Sequence, residues 1–142
     1  MELDDLYQEI ILDHYRNPRH AAKIPDDKAM IDEENPTCGD HIKLNATVDA
    51  GKVSSVTIEC TGCAICTASS SIMTEMVWDK PVPEVRGLIG RFTALMRGQG
   101  EMTDDDLGDL IALKGVQRYP LRIKCATMGW HALEAALKKL GA

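Results

Sequence analysis

The sequence predicts an α+β fold, a small antiparallel sheet covered by helices. Three observations carry this. Residues 42–48 and 53–60 form two strand-like runs, joined by the turn Asp49-Ala50-Gly51-Lys52. That is the signature of a hairpin with one buried face. Elsewhere, apolar residues recur at steps of three and four, the period of amphipathic helices. The strand block and the helix block are separate, so helices are expected on one face of an antiparallel sheet. No repeat or linker divides the chain, and 142 residues suffice for one domain over residues 1–142.

Taken in order, Leu3, Leu6, Tyr7, Ile10, Ile11 and His14 make one stripe of a first helix. Asn17-Pro18 stops it, because the residue before proline avoids helical geometry. His14 and His20 read as helix-end cations or packed rings rather than metal ligands. Residues 21–35 read as a connection with a short edge strand near Ala29–Asp32. In "NPTCGD", Pro36 and Gly39 mark a turn that exposes Cys38 and Asp40. Ile42, Leu44, Ala46 and Val48 alternate with polar residues, and Val56, Ile58 and Cys60 share one face of the return strand. A helix follows from Ala64 and fades by Asp79, with Ser69–Ser71 small enough for close packing. Another is expected from about Val85 to Arg97. Thr103 followed by Asp104, Asp105 and Asp106 is a capping signature, opening a short helix to about Leu113 with Gly115 as end cap. Ala126, Trp130, Leu133, Leu137 and Leu140 mark a last helix, with Cys125 at or near its start.

Composition narrows the function. The net charge is −6 and no basic patch stands out, which argues against nucleic acid binding. An acidic chain also favours basic protein partners. No apolar run approaches the roughly 20 residues that span a membrane. The acidic, amphipathic N-terminus resembles neither a signal nor a transit peptide. A cytoplasmic location is therefore expected, and there a disulfide framework built on five cysteines is not.

Cys60, Cys63 and Cys66 fall at intervals of three. A two-cluster ferredoxin loop would continue with a fourth cysteine and a proline; here "TASSS" follows. The predicted elements also split the three. Cys60 lies on a strand and Cys66 within a helix, where each reads as a small core hydrophobe. Cys63 follows Gly62 at a helix start, where free amides and the helix dipole favour a thiolate. Cys125 has a similar place, with Arg122 and Lys124 beside it, and Cys38 lies in the Pro/Gly turn. Three junction cysteines supply three thiolates of a tetrahedral site such as zinc's. Asp40 is the nearest candidate for the fourth ligand, with His41 next to it as the alternative. A carboxylate is harder than a thiolate and more easily displaced, which suggests a functional centre.

Four motifs in order, "DHYRNPRH", "NPTCGD", "GCAICTASSSIM" and "RIKCATMGWHALEAAL", resemble the IscU/NifU-like family of iron–sulfur cluster assembly proteins. The likeness runs from about Leu6 to Lys138. Lys124 stands where IscU-type scaffolds carry a histidine, and "GEMTDDDLGDLIALKGVQRYP" looks like the extra segment of the SufU branch. The resemblance implies a SufE/NifU-like (IscU-like) fold and zinc held by Cys38, Asp40, Cys63 and Cys125. It implies a sulfurtransferase role with a SufS-type, PLP-dependent cysteine desulfurase. Downstream Suf scaffold proteins are further expected partners. In the family, docking brings a desulfurase histidine to the zinc and frees the cysteine matching Cys38, which makes Cys38 the expected sulfur acceptor and Cys125 the second choice. The alternative is an IscU-type scaffold, with iron and a [2Fe–2S] cluster at the same residues. Cys60 and Cys66 match no family ligand. Small residues are more usual at Cys66, and Met128-Gly129 is also a variation.

Overall fold

In the computed structural model, which describes residues 3–36 and 39–142 with side chains from residue 8 on, four antiparallel strands are ordered β1-β2-β3-β4. They are β1 (Ile31–Asn35), β2 (Asp40–Asp49), β3 (Lys52–Thr61) and the two-residue β4 (Lys80–Pro81). Ile42, Leu44 and Ala46 of β2 pair with Cys60, Ile58 and Val56 of β3. Ala50 and Gly51 between them both have positive φ (52° and 77°), the backbone that a two-residue hairpin turn needs. The alternation of the sequence is thus the inner and outer face of this hairpin.

The helices are α1 (Leu3–Arg16), α2 (Ala64–Val77), α3 (Val82–Met96), α4 (Asp104–Leu107) and α5 (Pro120–Lys139). On the sheet, α5 packs against β1 and β2, and α2 against β3; α1 lies on α2. Trp130, Phe92, Ile42, Leu44, Ile58, Ile72 and Met73 are fully buried between the layers. Phe92 and Trp130 meet with ring centroids 4.9 Å apart. The α+β class expected from the sequence is the observed one.

Several boundaries differ. The edge strand lies at Ile31–Asn35, later than Ala29–Asp32, because its register follows the pairing of Ile31 with Leu44. The helix expected from Val85 begins at Val82, since Pro83 in the first turn needs no N–H partner. The capping box at Thr103 and Asp106 is present. It opens only one turn of α-helix, because Gly108 departs from helical geometry (φ 51°, ψ −131°). The chain then continues in 3-10 turns over Gly108–Arg118. Gly115 lies inside them and is not an end cap. Finally, Pro120 starts α5 early, which places Cys125 in its second turn rather than at its start.

Three contacts fix the distance between α2 and α5. A Cβ on Gly129 would lie 2.3 Å from Ser70 Oγ, so only glycine permits this approach. Ser69 donates to the Ala126 carbonyl at 2.5 Å and accepts from Trp130 Nε1 at 3.1 Å.

Candidate metal centre

Strand β2 begins with Asp40, and β3 ends beside it at Thr61, the partner of His41. Gly62 then turns the chain into α2 with φ 137°. A Cβ there would lie 2.2 Å from Asp40 Oδ1 and 2.8 Å from Asp40 Cα. The missing side chain at Gly62 is therefore what lets the buried Asp40 carboxylate reach the start of α2. Cys63 N–H donates to Asp40 Oδ1 at 2.8 Å. Cys63 is the N-cap of α2, and its sulfur accepts from the Cys66 N–H at 3.5 Å. It also lies 3.5 Å from Asp40 Oδ2.

Cys125, fully buried in α5, completes the group. One donor atom from each of Asp40, Cys63 and Cys125 lies within 4.8 Å of the others. Burying a carboxylate beside thiols is costly unless charge is compensated. The Arg122 guanidinium supplies compensation. Its pKa is raised chiefly by its hydrogen bond to the Cys125 sulfur, then by the charge of Cys63. Lys124, expected to share this role, instead lines a cavity of about 340 Å³ with Pro36 and His131. Cys38 lies outside the described residues, two positions before Asp40 in the sequence. The alternative ligand His41 is paired with Asp32 and does not belong to the converging group.

The donor set fits a thiophilic divalent ion. Two sulfurs and a carboxylate converge from three elements, one position short of a tetrahedron.

The other two cysteines are a pair. Cys60 and Cys66 sulfurs are 3.2 Å apart. The hydrogen bond from Cys66 holds the Cys60 thiol below its ordinary value. Having Cys60 as hydrogen-bond partner, together with burial, pushes Cys66 up. Neither joins the converging donors. Cys66 is buried in the helical core as expected, but Cys60, on its strand, is partly exposed rather than a core residue, and no expectation from the sequence covers their mutual contact. Its signal was the spacing across a strand, a turn and one helical turn.

A second group, His14, Glu75 and Asp109, also brings donor atoms within 4.8 Å. Here His14 is buried and its Nδ1 bonds Ser71 Oγ at 2.7 Å. Its Nε2–H donates to Asp109 at 3.2 Å. Ser71 Oγ also accepts the Arg19 N–H at 2.8 Å. His20 stacks on Trp78 at 3.9 Å between ring centroids. Both histidines are packed rings.

Beside the centre, Tyr119 and Leu121 are 61% and 80% exposed. A cavity of about 470 Å³ lies there, lined in part by Tyr119, Arg118 and Arg122. These exposed residues had no sequence signal, since they belong to a segment read as a lead-in to the last helix.

Comparison with known proteins agrees with this architecture. The family described as NifU-like N terminal domain matches residues 6–126. The zinc-dependent sulfurtransferase SufU of Bacillus subtilis is 41% identical over 137 residues, covering 96% of this chain and 92% of that protein. The iron–sulfur cluster assembly scaffold protein IscU of Streptococcus pyogenes is 37% identical, covering 97% and 86%. A crystal structure from Fervidobacterium islandicum, described as a putative iron–sulfur cluster assembly scaffold protein for the SUF system, superposes with a TM-score of 0.80. It is 32% identical and covers 95% of this chain and 98% of that one. Among the described residues, no helix is long and apolar enough to cross a membrane. With both the fold and the sequence matching over nearly the whole length, the chain belongs to the NifU-like N-terminal domain family, as an iron–sulfur cluster assembly protein of the SufU/IscU type.

Proposed function

We propose that this protein is a zinc-dependent sulfurtransferase that accepts persulfide sulfur from a SufS-type cysteine desulfurase, with Cys38 as the acceptor. The observation that carries the reading is the convergence of Asp40, Cys63 and Cys125, with Cys38 two positions before Asp40 in the sequence. The proposed ligands are these three and Cys38. Zinc, when bound, keeps thiols deprotonated at neutral pH.

The chain's own residues do the rest. Arg122 offsets the negative charge of the thiolates. Asp40 ties the strand to the helix through the Cys63 amide, which holds these two donors together. The Cys38 thiolate attacks the outer sulfur of the donor persulfide. A sulfur–sulfur bond forms on Cys38, the donor's sulfur–sulfur bond breaks, and the electron pair leaves on the donor cysteine. Exposed Leu121 and Tyr119 beside the centre offer an apolar contact for the donor, with Arg118 and Arg122 alongside. Lys124 in place of a histidine supports this reading over cluster scaffolding.

The test joins metal analysis to desulfurase turnover. Purified protein is expected to be colourless, with zinc, and to stimulate a SufS-type desulfurase. Cys38→Ala is expected to abolish the stimulation; a variant as active as the parent rejects Cys38 as acceptor. The scaffold reading is favoured by the relatives named IscU. Its distinguishing result is brown protein that passes a [2Fe–2S] cluster to an acceptor.

A further inference from the structure

Cys60 and Cys66 are unused by the centre, yet their sulfurs are in direct contact at 3.2 Å. The two differ in access. Cys66 is fully buried, while Cys60 is partly exposed. Cys60 lines an open cavity of about 390 Å³, with Pro18, Ala21, Ala22 and Thr67 around it. The Thr67 hydroxyl points a hydrogen at the Cys60 sulfur at 3.7 Å. Cys60 is thus a thiol that solvent-borne reagents reach and that its neighbours stabilise as the acceptor. Cys66 is a thiol closed to solvent and in contact with the Cys60 sulfur.

We propose that Cys60 and Cys66 form a redox-active dithiol, oxidised to an internal disulfide by low-molecular-weight disulfides, with Cys60 attacking and Cys66 resolving. In the first step, the Cys60 thiolate attacks one sulfur of the small disulfide. A mixed disulfide forms on Cys60 and one small thiolate leaves. In the second, Cys66 gives its proton to solvent and attacks the Cys60 sulfur. The Cys60–Cys66 bond forms and the second small thiolate leaves. The protein loses two electrons and two protons, and the small disulfide becomes two thiols. The asymmetry of access fixes the order, because a bulky disulfide enters the cavity at Cys60 and does not reach Cys66. The dithiol is also linked to the metal centre, since the Cys66 amide donates to the Cys63 sulfur.

The probe is glutathione disulfide, added without oxygen to the protein as purified. After acid quench and denaturation, free thiols are blocked. Oxidised thiols are then reduced and labelled with a second reagent, and fragment spectra assign each label. The second label is expected on Cys60 and Cys66 in equal amount, ahead of Cys63 and Cys125, with bound metal unchanged. Cys66→Ser is expected to hold a stable glutathionyl group on Cys60. Cys60→Ser is expected to leave Cys66 unlabelled. A parent protein labelled first at Cys63 or Cys125, or not labelled at the pair, overturns the proposal. So does a folded Cys66→Ser variant that takes no glutathione at Cys60.

Discussion

Among the described residues, two clusters of three metal-capable side chains come together, and they behave as opposites. Asp40, Cys63 and Cys125 meet at the end of the sheet, with the carboxylate and one sulfur fully buried. Asp40 and Cys63 contact each other, and Arg122 bonds the Cys125 sulfur. His14, Glu75 and Asp109 meet where α1, α2 and the 3-10 segment pack together. Their carboxylates are about half exposed, and the histidine is committed at both ring nitrogens to Asp109 and Ser71. The first cluster concentrates soft donors and negative charge in the interior, which calls for a cation. The second is a set of hydrogen bonds that pins three segments. Proximity of donor atoms alone does not separate them; burial and prior commitment of the donors do.

The comparison can be broken most directly at Gly62. Gly62→Ala puts a Cβ against Asp40 and demands a left-handed backbone. A stability loss of at least about 2 kcal/mol is expected in denaturant titration, together with loss of bound metal. A variant with parental stability and metal content refutes the close-approach role. Next, Cys63→Ser is expected to lower bound zinc to about a tenth or less while the protein stays folded. His14→Ala should cost about 2 kcal/mol of stability through lost packing and hydrogen bonds, with metal content unchanged. Metal loss on His14→Ala, or metal retention on Cys63→Ser, reverses the assignment of the two clusters. Asp109→Asn keeps a side-chain acceptor for the His14 Nε2–H on the half-exposed partner of that buried ring and should change stability by less than about 1 kcal/mol.

The smallest effect concerns acid. The Asp106 carboxyl is held below its ordinary 3.8, first by the Thr103 side chain, then by its amide and by Arg91. A depressed folded-state value means stabilisation present above that ordinary value and lost as pH falls through the folded one. Asp106→Asn should therefore flatten the acid limb of a melting-temperature profile slightly. A steeper limb contradicts the sign.

Much of the frame was legible because periodicity reports burial. The hairpin at 49–52, the helix from Ala64 and the final helix each follow from one repeating face. What escaped depends on long-range fit. Nothing local to Gly108 says that the α-helix gives way to 3-10 turns there. Cys125 looked like a helix-start thiol because Pro120 was read as part of the approach rather than as the first helical residue. At the centre, Cys63 and Asp40 were legible from their junctions, and the structure joins them to Cys125. The Cys60–Cys66 contact has only the spacing across the strand end and the first helical turn as its signal, and core packing explains Cys66 without it. His41 lies outside the converging group and is paired with Asp32, a contact between neighbouring strands that spacing does not reveal.

The contact between Gly129 and Ser70 reaches further than packing. Cys63 opens α2 and Cys125 rides on α5, so the gap between their sulfurs is gauged by how closely those two helices lie. Gly129, Ser69 and Ser70 set that gauge from the interior without offering a ligand. A bulkier residue at 129 would press against Ser70, so a substitution away from the candidate ligands would change the spacing of the two helices that carry them.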